Sequence, residues 1–306
     1  MDNTKTLVTE QLNDKSNNID RKNSIDILRI INQEDQTVPK IIENHLEEIN
    51  LVVERVVHAF KKGGRLFYIG AGTSGRLGVL DASECPPTYG TDPSMVQGII
   101  AGGEDAMFKP VEGVEDSENE GIKDVEKADL RSEDIMIGIT ASGRAPYVIG
   151  ALKKAREEGI TTVSFTCNHE SELNNYGDYL INIEVGPEVV TGSTRMKAGT
   201  VQKLVLNMIT TSAMILLGKV YGNLMVDVQP LNKKLVSRCK RIIAYGTGCT
   251  EKEAELLYYE SNQNPKVAIV MYHTGVSRVE AEEMLEEHNG FVYKAIGEAH
   301  SEEFTP

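Results

Sequence analysis

Apolar residues recur at intervals of three and four over residues 38–62, which is the spacing of one face of an α-helix. A shorter stretch over residues 24–31 has the same spacing, and the glycine pair at 63–64 predicts the end of the longer helix. An apolar face this wide packs on something large, and another subunit is one such surface. The preceding residues 1–20 are polar and predict a flexible or partner-ordered arm.

Short segments rich in isoleucine and valine alternate with helical patterns through the middle of the chain. The predicted strands cover residues 65–70, 94–101, 134–140, 160–166 and 179–185. Helical patterns separate most of them, and a long apolar helix over residues 193–220 closes the series. This alternation predicts an α/β fold, a doubly wound five-stranded parallel sheet covered on both faces. We expect the strand order 2-1-3-4-5.

After Pro230 the pattern changes to short helices separated by glycine or Asn-Pro breaks. Thr250 with Glu253, and Ser277 with Glu280, have the capping-box spacing that predicts helix starts. We therefore expect a small all-helical C-terminal module. The predicted organisation is an N-terminal arm with helices over residues 1–54, the sheet domain over 55–220, the helical module over 231–296 and a frayed tail over 297–306.

Two predicted loops, at residues 70–76 and 140–144, carry the same Ser-Gly-Arg sequence at the end of a strand and the start of a helix. In the expected strand order, their strands flank the point where the order reverses, which is where doubly wound sheets bind ligands. Glycines let the backbone approach an anion, hydroxyl groups donate hydrogen bonds, and free N–H groups at a helix start favour a phosphate. The candidate phosphate-binding residues are Gly72, Thr73, Ser74, Ser142 and Gly143.

The glycine spacing matches neither a nucleotide-binding P-loop nor a dinucleotide fingerprint, so a phosphorylated small molecule is the favoured ligand.

The net charge of the chain limits the classes of partner that we expect. Thirty-two Lys and Arg against 46 Asp and Glu give a net charge of -14. A general nucleic-acid or anionic-membrane binder needs a basic face, so we expect neither a nucleic-acid nor a membrane partner.

The four cysteines and six histidines show no metal-ligand spacing, and we predict no metal or other cofactor. Unpaired thiols are typical of a reducing compartment. The first 20 residues contain no apolar run of the signal-peptide kind. The most apolar stretch, residues 201–218, is interrupted by Gln202, Lys203 and Asn207, which favours a buried helix over a membrane span. Together these features predict a cytoplasmic protein.

The two Ser-Gly-Arg loops resemble those of the sugar isomerase (SIS) domain family, whose members bind phosphosugars at this crevice. Longer motifs narrow the resemblance: LDASECPPTY at 80–89, AGGE at 101–104, VEGVED at 111–116 and GPEVVTGSTRMKAGT at 186–200. Together they resemble the N-acetylmuramic acid 6-phosphate etherases, and the last motif is shared with the glucokinase regulatory proteins. The resemblance implies cleavage of the D-lactyl ether of N-acetylmuramic acid 6-phosphate to N-acetylglucosamine 6-phosphate and D-lactate without a metal. It places the protein in cell-wall amino sugar recycling.

The same resemblance implies two catalytic carboxyl groups. Glu84 is then the acid that protonates the departing lactate, and Glu115 is the base at C2 of the sugar. From the residues alone, Glu115 belongs to an acidic cluster that is typical of a solvated helix face. Glu84 lies just before Pro86 and Pro87, which predict the end of its helix and hold the carboxylate near the first loop.

Three further substrate-binding candidates, Ser193, Arg195 and Lys197, open the last helix of the sheet domain and carry a local positive charge. Arginine favours bidentate contact with a carboxylate or a phosphate, so the substrate group that they meet stays open between the lactate and the phosphate. A helix cap with a packing role is the alternative reading of this segment.

Two other functions remain open. A phosphosugar isomerase would use a similar base at C2 and would need no acid at C3. A phosphosugar-sensing regulator would bind without reacting, although the glucokinase regulatory proteins resemble two fused SIS halves and this chain has one. SIS domains commonly place their site near a subunit boundary, and the apolar early helix offers a docking surface. We therefore expect a homodimer.

Overall fold

The chain divides into two units, and the larger one contains the predicted sheet. The structure, a computed structural model, describes residues 7–230 and 232–297. Residues 7–83 and 93–210 form the first unit, and residues 84–92 and 211–297, apart from 231, form the second. These divisions fall at other positions than the predicted domain boundaries, which stay predictions. The predicted frayed tail lies outside the described residues from 298 onward.

In the described part of the chain, five strands form the sheet of the first unit: β1 (Leu66–Gly70), β2 (Val96–Ile100), β3 (Ile135–Thr140), β4 (Thr161–Thr166) and β5 (Tyr179–Asn182). Neighbouring strands are all parallel, in the order β2-β1-β3-β4-β5, which confirms the predicted doubly wound α/β fold. Every residue of β1 and β3 is buried, as central strands between two helical layers require. Each strand is shorter than predicted, because the apolar runs continue into the connecting loops.

Among the described residues, seven α-helices precede, separate or follow these strands before position 217: α1 (Ser24–Asp35), α2 (Thr37–Glu43), α3 (Leu46–Lys61), α4 (Gly72–Tyr89), α5 (Glu118–Ala128), α6 (Pro146–Glu157) and α7 (Lys197–Leu216). The single helix predicted over residues 38–62 is wrong, because the chain leaves helical geometry at His45, between α2 and α3. The apolar face of α3 is buried and contacts β1, β3 and β5 of the same chain. The large surface that this face covers is therefore the chain's own sheet, and the expected docking surface for another subunit is wrong for this face.

The N-terminal segment is ordered by contacts within its own chain, so the predicted flexible or partner-ordered arm is wrong over residues 7–20. Three single-turn 3-10 helices, Val8–Glu10, Asp14–Ser16 and Ile19–Arg21, form this segment. The Val8 N–H donates to Asn168 Oδ1 at 2.9 Å, beyond the end of β4. Polar and apolar side chains of the segment are buried together, which the polar composition alone did not indicate.

Two glycines allow α5 and α6 to pack with their backbones almost in contact. A Cβ atom at Gly121 would lie 2.0 Å from the carbonyl oxygen of Tyr147, and one at Gly150 would lie 2.4 Å from that of Glu118. Neither distance is possible for a real side chain. This contact fixes the segment before α5, which contains Glu115, against the start of α6.

The second unit is helical: α8 (Lys233–Thr247), α9 (Glu251–Glu260), α10 (Pro265–Thr274), α11 (Arg278–Glu287) and α12 (Val292–Ala295). Both predicted capping boxes are present, at Thr250 with Glu253 and at Ser277 with Glu280. A cluster of buried apolar side chains from these helices and the segment before them forms the core of the unit. Across the described ranges 7–230 and 232–297, no helix is both long enough and apolar enough to cross a membrane.

The α5–α6 contact predicts a large effect of a single methyl group. Gly150→Ala is expected to lower the free energy of unfolding by about 1–3 kcal/mol, because the new Cβ must displace a main-chain carbonyl. Urea denaturation of the purified protein measures the change.

Gly199→Ala is the matched control, since Gly199 also lies in a helix but its Cβ would meet Thr73 Cγ2 at an ordinary 3.4 Å. That variant is expected to be neutral or stabilised by roughly 0.5–1 kcal/mol through reduced backbone entropy of the unfolded chain. Equal losses in the two variants would contradict the proposed packing.

Candidate active site

The two Ser-Gly-Arg loops lie side by side at the carboxyl edge of the sheet. In the register of β1 with β3, Gly70 is paired with Ile139, so the residues that follow each strand begin as neighbours. Adjacent strands are about 4.8 Å apart in a sheet, and each chain then turns into its own helix, α4 or α6. The predicted position of both segments at neighbouring strand ends is therefore confirmed, but the loop predicted over residues 70–76 is wrong in extent, because α4 already begins at Gly72.

The first loop leads directly into α4. Gly72 has φ +53° and opens the helix, a conformation that glycine adopts without strain. Ser74 follows in the first turn and is 8% exposed, and its Oγ donates a hydrogen bond to Oε1 of Gln202 at 3.0 Å. Thr73 lies beside Gly199, since a Cβ atom built at Gly199 would lie 3.4 Å from Thr73 Cγ2. The start of α4 therefore lies against the first two turns of α7.

The second loop is held by the loop after β4. Ser142 Oγ accepts a hydrogen bond from the Arg144 N–H at 3.2 Å and shares one with Thr140 Oγ1 at 3.3 Å. Gly143 has φ +73°, and a Cβ at this position would lie 2.1 Å from Ser171 Oγ. Ser171 Oγ in turn donates to the Gly143 carbonyl at 3.1 Å. Only glycine fits here, so this glycine is needed for the shape of the loop.

The segment before α7 differs from the prediction. The helix begins at Lys197 and ends at Leu216, so Ser193 and Arg195 lie in the turn that precedes it. Ser193 is half-buried and Arg195 is exposed. The first N–H groups of the helix are already bonded, because the Glu188 carboxylate accepts from Lys197 N and Ala198 N at 2.9 Å each. Burial raises the pKa of Glu188, and these two bonds oppose that rise.

Lys197 occupies a buried ion pair. Its Nζ lies 2.7 Å from Glu34 Oε2, and its side chain is 3% exposed. Glu34 also accepts from Lys15 Nζ at 2.8 Å and from Asn13 Nδ2 at 2.8 Å. Burial alone would raise the pKa of Glu34, but the hydrogen bonds from Lys15, Lys197 and Asn13 outweigh it and lower that pKa to about 2. The network ties the N-terminal segment and α1 to the start of α7.

Glu84 is exposed on α4, and its helix does not end where predicted. The expectation that Pro86 and Pro87 terminate the helix is wrong, since α4 continues to Tyr89 and the Gly90 N–H donates to the Pro86 carbonyl at 2.9 Å. Prolines lack the N–H that a helix uses, yet the Pro86 carbonyl in this turn still accepts a hydrogen bond. Glu84 thus lies about three helical turns along α4 from Gly72.

Asp81 lies one turn before Glu84 and is 5% exposed. Its carboxylate accepts hydrogen bonds from Tyr68 Oη at 3.0 Å, Asn207 Nδ2 at 2.6 Å and Thr210 Oγ1 at 3.2 Å. Burial raises the pKa of Asp81, and these hydrogen bonds oppose the rise. The network fixes α4 to β1 and α7.

Glu115 is exposed in the segment between β2 and α5. Its carbonyl accepts a hydrogen bond from the Tyr147 N–H at 3.0 Å, so its main chain is held at the first turn of α6, just after the second loop. The side chain remains accessible. Loss of hydration to nearby protein atoms raises the pKa of Glu115, and repulsion from Asp116 raises it further.

Several supporting residues had no signal in the sequence. Gln202 supports the first loop, Asn168 and Ser171 the second, and Glu34 with Glu188 the start of α7. Gln202, Asn168, Ser171 and Glu34 reach their partners from distant elements, so no local spacing marks them. Glu188 lies nine residues before Lys197, within the motif at 186–200. In the part of the chain that the structure describes, no group of three or more His, Cys, Asp or Glu side chains could hold a metal ion.

Comparison with known protein families agrees with this architecture. Residues 48–156 match the family model of the glucokinase regulatory protein N-terminal SIS domain, and residues 108–212 match that of the SIS domain. Among solved structures, the chain is similar to a putative sugar-phosphate isomerase from Listeria monocytogenes. That structure is 14% identical, with a TM-score of 0.49, and the match covers 64% of this chain and 92% of that one.

Three curated relatives match almost the whole chain. N-acetylmuramic acid 6-phosphate etherase of Clostridium botulinum (strain Loch Maree / Type A3) is 52% identical over 95% of this chain and 97% of its own length. The etherase of Exiguobacterium sp. is 52% identical over 95% and 99%, and etherase 2 of Lactiplantibacillus plantarum is 51% identical over 96% and 99%. At this identity and coverage, the chain belongs to the N-acetylmuramic acid 6-phosphate etherase family.

Proposed function

We propose that this protein cleaves the D-lactyl ether of N-acetylmuramic acid 6-phosphate, giving N-acetylglucosamine 6-phosphate and D-lactate, in the recycling of cell-wall amino sugars. The observation that carries the proposal is the identity of about half of all residues, over 95% of the chain, with relatives named for this reaction. The two hydroxyl-bearing loops at neighbouring strand ends provide the kind of site that a phosphorylated sugar needs.

The reaction requires a base that removes a proton from the substrate and an acid that donates one to it. An ether at C3 resists direct displacement, because an alkoxide is a poor leaving group. Opening of the sugar ring frees a C1 aldehyde, which acidifies the proton on C2. A base removes that proton, the C2–C3 double bond forms, the C3–O bond breaks, and an acid protonates the departing lactate oxygen. Water then adds its hydroxyl to C3 and a proton to C2, so that one water is consumed overall.

We assign the base to Glu115 and the acid to Glu84, as the family resemblance implies. The raised pKa of Glu115 supports its assignment, since a carboxylate that holds its proton more tightly is a stronger base. The anchoring of its main chain at the start of α6 keeps it beside the second loop. The exposed position of Glu84 leaves its carboxyl group accessible to substrate.

We assign the phosphate of the substrate to the two loops, through Gly72, Thr73 and Ser74 at the start of α4 and through Ser142 and Gly143 in the second loop. Free N–H groups at the start of a long helix favour an anion, and serine and threonine hydroxyls add donors.

The turn before α7 supplies the remaining proposed contacts. Ser193 and Arg195 are accessible there and would meet the lactate carboxylate or the phosphate. For Lys197, whose ammonium is committed to Glu34, we propose support of the site through that pair.

The main test is D-lactate release. Incubation of the purified protein with N-acetylmuramic acid 6-phosphate in deuterated water is expected to yield D-lactate and deuterium at C2. Glu115→Ala is expected to lose both, by at least about 100-fold, because no base removes the C2 proton. Glu84→Ala is expected to lose lactate release while retaining exchange at C2. Mass spectrometry of the sugar and an enzymatic lactate assay measure the two outcomes.

Glu112→Ala is the matched control, since this exposed carboxylate lies three residues from Glu115. It is expected to keep both activities. If Glu115→Ala retained deuterium exchange at C2 and Glu84→Ala lost it, the roles of base and acid would be reversed. Tight binding without lactate would support a phosphosugar sensor, and an isomerised sugar without lactate would support an isomerase.

The pKa of Glu115 predicts the acid side of the pH profile. A base must be ionised, so kcat/KM is expected to fall as the pH drops through the raised pKa, at a higher pH than the ordinary glutamate value of about 4.3. Asp116→Asn removes a repelling charge and is expected to move this limb to lower pH. Glu112→Gln should leave the limb in place. A limb that follows Glu112 and ignores Asp116 would refute Glu115 as the titrating base.

We also propose a homodimer in the cytoplasm. Exposed apolar side chains on α1 and α3, among them Ile25, Leu28 and Leu51, support an interface on the N-terminal helices. No disulfide bond joins the cysteines at the described positions 85, 167, 239 and 249, which fits a reducing compartment. Light scattering after size-exclusion chromatography is expected to give about 67 kDa, twice the chain mass of 33.7 kDa. A fully active species at the mass of one chain would disprove the dimer.

A further inference from the structure

Only one of the two polar atoms of the Gln202 side-chain amide forms a hydrogen bond. Gln202 is 1% exposed, its Oε1 accepts a hydrogen bond from Ser74 Oγ, and its Nε2 is a buried donor without a hydrogen-bond partner. A buried N–H group that lacks an acceptor loses its bonds to water and gains none in return, so such groups are uncommon in folded proteins. The unpaired donor lies on the side chain that contacts the serine assigned to the substrate phosphate.

The bond between these two side chains also occupies the proton of Ser74. A serine hydroxyl has one donor and two acceptor positions. While Ser74 Oγ donates to Gln202 Oε1, it has no proton to offer to an anion. A phosphate oxygen that carries charge accepts hydrogen bonds and does not donate them. The arrangement seen here therefore disfavours an anion at Ser74.

Rotation of the Gln202 amide by half a turn reverses the bond. Nε2 then takes the place of Oε1 and donates to Ser74 Oγ, which frees the serine proton for a phosphate oxygen. The result is a chain of bonds from the amide N–H to the hydroxyl and from the hydroxyl to the anion. Each bond in such a chain polarises the next, and a bond to a charged acceptor is stronger than a neutral one.

The backbone of Gln202 is well placed for this role. Gln202 and Gly199 are three residues apart on α7, so they face the same direction, and the approach of Gly199 to Thr73 puts that face against the start of α4. Glu188 fixes the first turn of α7 by accepting from the N–H groups of Lys197 and Ala198. Rotation of the amide alone can therefore exchange the two states without movement of either helix.

We propose that Gln202 is a positioning residue that switches the Ser74 hydroxyl between a bond to the protein and a bond to the phosphate of the substrate. The inference rests on the proposed function, because it takes Ser74 as a contact of a phosphorylated sugar. Gln202 itself does not touch the reacting atoms.

Two substitutions separate this switch from a purely structural role. Gln202→Glu keeps an acceptor for Ser74 and removes the donor, so it holds the serine in the state that disfavours an anion. Gln202→Met has similar length and neither donor nor acceptor, so it frees the serine proton without supporting it. A structural tether predicts that Gln202→Glu resembles the unmodified protein. The switch predicts that Gln202→Glu is the weaker binder of the two variants.

The affinity for inorganic phosphate, measured by isothermal titration calorimetry, is the first readout. We expect affinity to fall about three- to fivefold in Gln202→Met and by about tenfold or more in Gln202→Glu, the size of one hydrogen bond to a charged group. KM for N-acetylmuramic acid 6-phosphate should rise by similar factors while kcat changes less than about threefold. Thermal unfolding of each variant establishes that it is folded, and Gln202→Met is the variant that introduces no buried charge.

The same substitutions in a Ser74→Ala background complete the test. If Gln202 acts through Ser74, Gln202→Met changes phosphate affinity less than about twofold there, and the remaining effect of Gln202→Glu measures direct repulsion by the new carboxylate. Equal effects in both backgrounds would overturn the proposal, as would an unchanged affinity in Gln202→Glu. Absence of lactate from the unmodified protein would instead refute the proposed function, since the phosphate titrations do not depend on turnover.

Discussion

The pairing of β1 with β3 is the constraint on which the rest of the site depends. Because Gly70 and Ile139 are opposite each other, the chain leaves the sheet twice at neighbouring points. Phe67 and Ile69 pack with α5 and α6 on one face, while Tyr68 meets α4 on the other, through Gly78 and Asp81. The two helices that follow the loops therefore depart on opposite faces of the sheet, and such a position is where doubly wound sheets bind ligands. In the proposed function, the substrate phosphate binds to main-chain and hydroxyl donors of both loops at this position.

The sequence was sufficient for the features that local pattern controls. The strands and both capping boxes follow from periodicity and from residues that are close along the chain. The strand order follows from the common topology of doubly wound sheets. Local rules failed where long-range contacts decided the outcome. From its position at a helix start, Lys197 was expected to offer its positive charge to the substrate. Its ammonium is instead paired with Glu34, which lies 163 residues earlier. Ser74 and Gln202 are likewise 128 residues apart, and no spacing in either motif announces their contact.

Two failures have a more specific physical cause. The polar composition of residues 7–20 suggested an arm without a core of its own, yet Asn13 satisfies buried acceptors on Glu34 and Pro187 at the same time. Polar residues can be buried when each hydrogen bond has a partner, and composition does not report partners. Pro86 and Pro87 remove two donors from α4, but the helix persists to Tyr89 because packing and the remaining bonds outweigh that loss.

Two buried carboxylates neutralise positive groups at the start of α7, and these groups are then not available to the proposed ligand. Glu188 occupies the first N–H groups of α7, so this helix start is already neutralised from within. Glu34 does the same for the ammonium of Lys197. In the proposed function, recognition of the anionic substrate by a chain of net charge -14 is therefore assigned to the start of α4, the second loop and the exposed Arg195. These are short-range donors, which select a phosphate by geometry and give the protein no general attraction for polyanions.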